Sequence, residues 1–366
     1  MSSEAISVRV PGRVNLIGEW IDFSGGTVLP MPIRSEITLK RTANGSPVDV
    51  IRSAQFGSEA RFDIHAPAMR DWSDAIRGAL QAARAEGWIS GGQDVTVSSD
   101  IPVGQGLSSS AATIVATLKA SRPSCDTDDV ALAQMARAVE NNFMGVPCGI
   151  MDQIVVAGAR AGHAMLIDCD VPEGFAPVPP EKVEHVPMPP RRAAKVVVID
   201  TRVRHRLADG AYAERVAIAK SAAAKLGVRH LCHAPTWTVF ALTQLEKFAT
   251  RHSVTEFERV HQAVAAMRRG DIRTLGRLMA QSGSSLRFDE RVSCDELDTV
   301  VEFALRGPGC YGVRLTGAGF GGCAVALGWP AGVGRLCERV TREFTARHGH
   351  APEIRVTGAA PGAELV

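Results

Sequence analysis

The stretch from residue 101 to residue 112, IPVGQGLSSSAA, holds the residues best suited to bind a phosphate group. It reads as a strand end, a glycine–serine loop and the start of a helix. Gly104 and Gly106 let the backbone approach a ligand closely because they have no Cβ. The serines at 108–110 bring hydroxyls to the helix N-terminus, where the first N–H groups lack partners. Three serines are more than an ordinary cap needs, and we therefore interpret this stretch as a phosphate loop.

Two carboxylates beyond this loop have the chemistry that phosphoryl transfer requires. Glu140 lies on a predicted helix after the loop and carries an oxygen ligand of the kind that Mg²⁺ prefers. Its alternative is an ordinary solvated helix residue. Asp152 lies in the small, apolar segment 147–153, where a carboxylate has little reason to be unless it is used. The loop and these two residues together predict a site for a phosphate-bearing substrate.

The common phosphate motifs do not describe the loop. No Gly-Lys-Ser or Gly-Lys-Thr follows its glycines, so it is not a Walker A motif. The spacing of a dinucleotide fingerprint also fails after Gly106. The loop must therefore belong to another class of nucleotide-binding protein.

Length and composition limit the class of protein. The chain has 366 residues, 45% of them hydrophobic, and a net charge of +2, which predicts two domains and disfavours nucleic acid as a partner. Its eight cysteines form no C-x-x-C pair, which argues against a zinc site or a disulfide framework. Residues 1–7 lack a signal sequence and no apolar run reaches membrane-spanning length. We expect a cytoplasmic protein that does not bind membranes.

Periodicity and punctuation predict an α+β fold that positions these residues. We expect strands at 7–10, 27–33, 36–41, 94–99, 195–200 and 353–356. We expect helices at 72–86, 110–120, 127–143, 208–226, 254–269 and 271–282, the third capped by Asp126 or Thr127. Residues 312–327 read as a strand, a glycine turn and a strand, followed by an amphipathic helix. The proline-rich span 171–190 breaks the periodicity and predicts a boundary or an excursion.

Three segments resemble those of one kinase family. Residues 11–30, PGRVNLIGEWIDFSGGTVLP, closely resemble the galactokinase signature. The phosphate loop and residues 314–323, RLTGAGFGGC, are similar to the second and third motifs of the GHMP small-molecule kinases. Residues 140–153 resemble the galactokinase segment with the catalytic aspartate, and residues 204–215 and 251–259 also agree. The chain is identified as a member of the galactokinase branch of that superfamily.

This resemblance implies a two-domain GHMP kinase fold. The N-terminal domain, 1–190, is of the ribosomal-protein α+β type and holds the sugar signature and the phosphate loop. The C-terminal domain, 191–366, is ferredoxin-like and holds the third motif. The implied reaction moves the γ-phosphoryl of ATP, with Mg²⁺, to the anomeric hydroxyl of galactose or a galactose-like aldose. The implied partners are the sugar and ATP, and the protein is expected to be a monomer or a weak homodimer.

The resemblance also implies roles for residues around the sugar. Asp152 accepts the proton of the anomeric hydroxyl, and Arg13 keeps it ionised and offsets the developing charge. The sugar ligands implied are Glu19 at the 6-hydroxyl, Asp22 at the 3- and 4-hydroxyls, Tyr212, and Gly149 through its backbone.

On the nucleotide side, the resemblance assigns the phosphates to the loop and the metal to a carboxylate. The residues implied are Gly104, Gly106, Leu107, Ser108, Ser109, Ser110 and Ala111. The metal lies between Glu140 and Ser110, with Ser109 as the alternative serine. Trp72 either flanks the adenine or is a core tryptophan. Gly317, Gly319 and Gly321 are expected to pack the third motif against the loop.

The signature departs from the family pattern at Trp20, Ile21 and Phe23, where the family has histidine, threonine and tyrosine. The family histidine shares the 6-hydroxyl, whereas an indole offers one donor and no acceptor. Trp20 could stack on the sugar, fill the space of C6 and favour L-arabinose, or pack outward without effect. We place galactose ahead of L-arabinose.

Two further hypotheses remain at this point. A sugar and ATP sensor without activity could use the same fold, but Arg13, Glu140 and Asp152 are all present. A kinase for an anionic metabolite such as mevalonate or homoserine would place Arg or Lys where Glu19 and Asp22 lie.

Overall fold

The computed structural model describes residues 5–122, 128–146, 148–170, 182–204, 208–235 and 240–366. The strands are β1 (Ile6–Asn15), β2 (Thr27–Val28), β3 (Pro30–Ala43), β4 (Val48–Ser53), β5 (Ser58–Asp63), β6 (Gln93–Ser99), β7 (His163–Asp168), β8 (Val183–Pro187), β9 (Lys195–Arg204), β10 (Cys310–Thr316), β11 (Gly321–Gly328), β12 (Glu353–Thr357) and β13 (Glu364–Leu365). The α-helices are α1 (Asp74–Ala85), α2 (Ser109–Ser121), α3 (Asp129–Ala138), α4 (Met151–Gly158), α5 (Ala208–Leu226), α6 (Gln244–Arg268), α7 (Ile272–Ser285), α8 (Asp295–Leu305) and α9 (Val333–His348). The α+β prediction is confirmed.

The first sheet brings two functional loops to one edge. Its strand order is β13-β1-β3-β6-β4-β5. Strands β1 and β6 both pair antiparallel with β3, so they run in the same direction and their carboxyl ends lie on the same side. The signature follows β1 and the phosphate loop follows β6. The Arg13 N–H donates to the Leu107 carbonyl at 3.1 Å and ties the two loops together.

The second sheet has the order β10-β11-β9-β12 and carries the third motif between β10 and β11. Its strands all pair antiparallel. A small sheet, β2-β7-β8, lies between the signature and the helices of the second half. Near the end of the chain, β13 pairs with β1, so the C-terminus completes the first sheet.

One apolar core runs through both halves, from β1, β3 and α2 to α6, α7 and β11. A second cluster fills the space between the second sheet and helices α8 and α9. The division at residues 190 and 191 therefore stays a prediction. In the described part of the chain, no helix is both long and apolar enough to span a membrane.

Several predicted elements differ in their bounds. The predicted helix 127–143 is α3 followed by a π-helical turn, Val139–Phe143, and its cap is Asp128. The predicted caps Asp126 and Thr127 lie outside the described residues, as do 171–181 of the proline-rich span. Within that span, β8 pairs with β7, so part of it is regular structure. Helix α6 begins at Gln244, ten residues before the predicted start. The prediction missed its first turns because buried polar residues there interrupt the apolar period.

Candidate active site

Arg13 and Asp152 form the centre of the candidate site. Arg13 Nε donates to Asp152 Oδ1 at 2.8 Å and Nη2 donates to Oδ2 at 2.7 Å, which is a two-point ion pair. The Arg13 side chain is 5% exposed and that of Asp152 is 29% exposed, so one edge of the carboxylate remains open. Arg13 Nη1 also donates to the Gly106 carbonyl at 2.5 Å. The pair therefore lies directly against the phosphate loop.

The phosphate loop presents backbone donors to open space. Gly104 and Gly106 both have positive φ angles, as the glycine spacing requires. Ser108 also has a positive φ, 62°, and α2 begins after it without any side-chain cap. The Ser108 hydroxyl donates instead to Asp152 Oδ2 at 2.5 Å. Ser108 is therefore not an ordinary capping residue, and within the described residues no side chain caps the first N–H groups of α2, an arrangement that suits an anion.

Glu140 lies in the π-helical turn beside the start of α2. Its carboxylate is buried and accepts from Gln153 Nε2, and the Ser110 hydroxyl lies close enough to act on its pKa. The Cys148 thiol lies 3.7 Å from Glu140 Oε2. Burial raises the pKa of Glu140, and the charge of Asp152 adds to that rise. The structure brings together the carboxylate and the serine that the sequence analysis paired.

Glu19 is more enclosed than the prediction of a sugar ligand implies. It is 2% exposed, and Asn15 Nδ2 donates to its Oε2 at 2.5 Å. Its Oε1 accepts from the Gly317 N–H of the third motif and lies 3.5 Å from Arg314 Nη2. Both oxygens thus have partners within the protein.

Asp22 has a different environment. It lies in a short 3₁₀ turn against Gly149, where a Cβ would overlap Asp22 Oδ2. Burial, and then the charges of Asp152 and Glu19, raise the pKa of Asp22 to about 6. Within the described residues, no ion pair compensates this carboxylate.

An aromatic cluster forms the wall beside Asp22. The Trp20 ring lies 4.9 Å from that of Tyr212 and 6.1 Å from that of Phe23, and Trp20 is 5% exposed. Trp20 packs with the core of the second half, and its indole N–H has no hydrogen-bond partner. Burial and the Asp22 charge raise the pKa of Tyr212. The structure therefore places Tyr212 near Asp22, as predicted.

Trp72 lies just before α1, outside the helix on which it was predicted. Its ring lies 5.4 Å from that of Phe56. Gln55, the neighbour of Phe56, donates to the carbonyl of Ile101 at 3.3 Å. The aromatic pair is therefore close to the beginning of the phosphate loop.

The third motif packs on the phosphate loop at two of its glycines. A Cβ on Gly317 would lie 2.9 Å from the Gly106 carbonyl oxygen, and one on Gly322 would lie 2.9 Å from that of Gln105. Gly319 instead packs on the backbone of Val292, so its predicted contact with the loop is wrong. The contact between motif and loop is confirmed at Gly317.

Several residues around the signature were not assigned a role from the sequence. His252 and Glu256 of α6 contact the signature backbone, and Arg314 and Thr316 of β10 bind Asn15. The available signal was spacing: His252, Glu256 and Arg259 fall at i, i+4 and i+7, on one face of the helix. The groups that His252 and Glu256 bind, the Glu19 carbonyl and the Gly18 N–H, are backbone groups distant in sequence, so no sequence pattern identifies them.

Comparisons with known proteins agree with this geometry. Residues 1–39 match the galactokinase galactose-binding signature, residues 74–159 the GHMP kinases N terminal domain, and residues 263–345 the GHMP kinases C terminal domain. The galactokinase of Bos taurus is 37% identical over 99% of this chain and 92% of its own length. That of Chloroflexus aurantiacus is 38% identical over 87% of this chain and 83% of its own length.

Solved structures show the same fold. The galactokinase of Lactococcus lactis complexed with galactose has a TM-score of 0.91 and 27% identity, with 100% of this chain and 96% of that chain covered. The mevalonate kinase of Methanococcus jannaschii shares the fold, with a TM-score of 0.69 and 17% identity over 98% of this chain and 99% of that chain. From its signature, its two GHMP domains and these relatives, the chain belongs to the galactokinase family of the GHMP kinases.

Proposed function

We propose that this protein transfers the γ-phosphoryl group of ATP to the anomeric hydroxyl of galactose and releases galactose 1-phosphate and ADP. The observation that carries the proposal is the Arg13–Asp152 pair, which lies between the phosphate loop and the signature carboxylate Asp22. The relatives named galactokinase favour galactose over L-arabinose and over a sensor without activity.

Asp152 acts as the general base in this proposal. Its open edge accepts the proton of the anomeric hydroxyl while the sugar oxygen bonds to the γ-phosphorus and the bond to the β–γ bridging oxygen breaks. Arg13 holds the carboxylate by two hydrogen bonds and places a fixed positive charge where negative charge develops. Ser108 fixes the other side of the same carboxylate.

Asp22 is the main sugar ligand that we propose. An ionised carboxylate accepts hydrogen bonds from two neighbouring hydroxyls, and Asp22, which has no ion pair among the described residues, is available for that purpose. Gly149 leaves room for Asp22, and Tyr212 forms the wall beside it. A contact of Glu19 with the 6-hydroxyl stays a prediction, and only Oε2, with one donor from Asn15, has capacity for it.

Residues 104–111 of the phosphate loop bind the nucleotide phosphates in this proposal, and Trp72 and Phe56 lie beside the adenine. Magnesium suits Glu140 and Ser110, because a carboxylate and a hydroxyl are oxygen donors and the ion takes its remaining ligands from phosphates and water. Among the described residues no group of three or more His, Cys, Asp and Glu could hold a metal. The bound ion would neutralise phosphate charge during transfer.

The remaining parts of the proposal concern its setting. We propose a cytoplasmic enzyme that acts as a monomer or a weak homodimer and binds no nucleic acid. The seven cysteines in the described ranges are free thiols, which supports a reducing compartment.

A coupled assay of ADP release tests the proposed function. The purified protein is given ATP and Mg²⁺ with galactose, L-arabinose, galacturonate, N-acetylgalactosamine or glucose. We expect the highest kcat/KM with galactose. A preference for L-arabinose would mean that the Trp20 side chain occupies the space that C6 of galactose needs. ATP binding without turnover of any sugar would indicate a sensor.

A further inference from the structure

Helix α6 carries three ionisable side chains on one face, at positions i, i+4 and i+7: His252 and Glu256, which are buried, and Arg259, which is half-buried. We call them the α6 polar face. His252 and Glu256 are both 0% exposed. Burial of a charge or an imidazole is costly unless each polar atom finds a partner, so their partners indicate why they are there.

The partners of this face are backbone groups of the sugar signature. The Gly18 N–H donates to Glu256 Oε1 at 2.8 Å. His252 Nε2 lies 2.9 Å from the carbonyl oxygen of Glu19. Because a carbonyl only accepts, we assign a ring proton to Nε2, and burial lowers the pKa of His252.

The same two side chains are held from behind. Ser285 Oγ lies 2.9 Å from His252 Nδ1, and the Ser282 hydroxyl donates to Glu256 Oε1 at 2.5 Å. Arg259 Nε donates to Glu256 Oε2 at 2.7 Å. Although burial acts against ionisation, the Arg259 charge lowers the pKa of Glu256, so the group is a carboxylate. Partners on α6 and α7 thus fix the direction of both contacts to the signature.

The signature needs this support because its backbone is unusual. Gly18 has a φ of +98° and Trp20 a φ of +64°, the left-handed region that a bulky residue seldom adopts. Such conformations persist only where surrounding contacts enforce them. Two residues after Trp20, the carboxylate of Asp22 meets Gly149 so closely that a methyl group would not fit. A small shift of the loop therefore moves Asp22 away from its position beside Asp152.

We propose that His252 and Glu256 are positioning residues for sugar binding, which hold the Gly18 and Glu19 peptides and thereby set the place of Asp22. This inference rests on the proposed galactose kinase function. A purely structural role for the same residues would change stability and leave the sugar KM unaltered.

The test compares His252→Leu, which loses the donor, with His252→Gln, whose Nε2 can take the place of the ring Nε2. Val264→Ala, a buried change on α6 remote from these contacts, is the matched control for lost stability. Full kinetics with galactose and ATP are measured, together with hydrogen exchange of peptides covering 16–24 and 102–112 and a thermal melt.

We expect His252→Leu to raise the galactose KM about tenfold, the effect of one hydrogen bond of ordinary net strength. The ATP KM should stay within about twofold and exchange should accelerate at 16–24 alone. His252→Gln should return the galactose KM to near the wild-type value. The control Val264→Ala should lower the melting temperature but leave the galactose KM unchanged. An unchanged galactose KM in His252→Leu, no rescue by glutamine, or an equal rise in the control would overturn the inference.

Two further outcomes are covered by the same design. If His252→Leu does not fold, Ser285→Ala removes the hydroxyl that lies at His252 Nδ1 and that also donates to Asp289 Oδ2. Unchanged exchange at 16–24 in that variant would refute the proposal. If the wild-type protein shows no turnover of galactose, the proposed function fails, while the exchange comparison still decides the role of His252.

Discussion

The phosphate loop (101–112) and the signature loop (16–24) leave the same edge of the first sheet, but they use their polar groups in opposite ways. The phosphate loop leads into α2 without a side-chain cap, whereas the N-termini of α6 and α7 are capped. In the signature loop, the Gly18 N–H, the Glu19 carbonyl and both Glu19 carboxylate oxygens have protein partners. The phosphate loop thus leads into a helix that no described side chain caps, whereas the polar groups of the signature loop are bound within the protein.

The difference matches what each loop has to bind. A nucleotide brings strong charge of its own, so free N–H groups at a helix start are enough to attract its phosphates. A sugar offers only neutral hydroxyls, and selection among them requires acceptors fixed in direction. Asp22 is such an acceptor: its neighbours are fixed, and in the described part of the chain its carboxylate forms no ion pair. The fixed backbone of the signature loop thus holds the Asp22 carboxylate in one direction, so that it can select among the sugar hydroxyls.

The largest effect is expected at the carboxylate that both loops share. Asp152→Asn removes the proton acceptor, and we expect kcat to fall about 10³-fold, within the usual range for loss of a general base. ATP binding, measured by calorimetry, should stay within about threefold because the phosphate loop keeps its open donors. Asp295→Asn, at an exposed position on α8, is the control. Unchanged turnover would remove Asp152 from the mechanism.

A smaller effect should follow from disturbing the signature side alone. Gly149 has no positive φ, so Gly149→Ala acts through its methyl group, which would displace Asp22. We expect the galactose KM to rise about 100-fold, as misplacement of a binding group by about 1 Å can do. Gly334→Ala, with open space around its Cβ, should have no effect. An equal rise in the ATP KM would show that the two loops are not independent.

The pH dependence tests the uncompensated charge of Asp22. Because the pKa of Asp22 is raised to about 6, the free enzyme loses this acceptor as the pH falls below 6. The kcat/KM for galactose should therefore decrease below pH 6 with the slope expected for binding of one proton. The ordinary value of an aspartate is about 3.9. Between those values the folded state binds a proton that the unfolded state does not, so this group stabilises the protein as the pH falls.

Asp22→Asn should therefore unfold at a higher temperature than the wild type at pH 7.5, by a free energy on the order of 2 kcal/mol. The gain should vanish near pH 4, and galactose binding should be lost. Thermal melts at several pH values provide the measurement. A variant that is less stable at pH 7.5 would mean that Asp22 has a compensating partner.

The smallest effect is expected at Trp20. Trp20→Phe removes a buried N–H without a partner, which is favourable, and leaves a small cavity, which is unfavourable by a similar amount. We expect the melting temperature and the galactose KM to change little, because the ring contacts with Tyr212 and Phe23 are kept. A large rise in the galactose KM would instead assign the indole N–H to the sugar.

The site could be predicted further than the fold that supports it. The paired Arg13 and Asp152, the partners Glu140 and Ser110, and the proximity of Asp22 to Gly149 and Tyr212 agree with positions read from motifs. Motifs succeed there because the chemistry fixes the residue type at each position. The role of Ser108 was missed, since no local pattern shows that a serine has a left-handed backbone and donates to Asp152.

The sequence by itself determined most helices, the phosphate loop, the family and the strands β1, β3, β6 and β9–β12, because periodicity, glycine placement and motif residues are local properties. It did not predict β4, β5, β7 or β8, nor helices α4 and α8. Only the tertiary structure decided that both Glu19 carboxylate oxygens have partners within the protein, that Trp20 packs into the second half, and that β13 completes the first sheet. It also decided that helix α6 holds the signature backbone. These facts depend on contacts between residues more than 200 positions apart, and the free energy of such contacts is set by burial and direction, which no local pattern records.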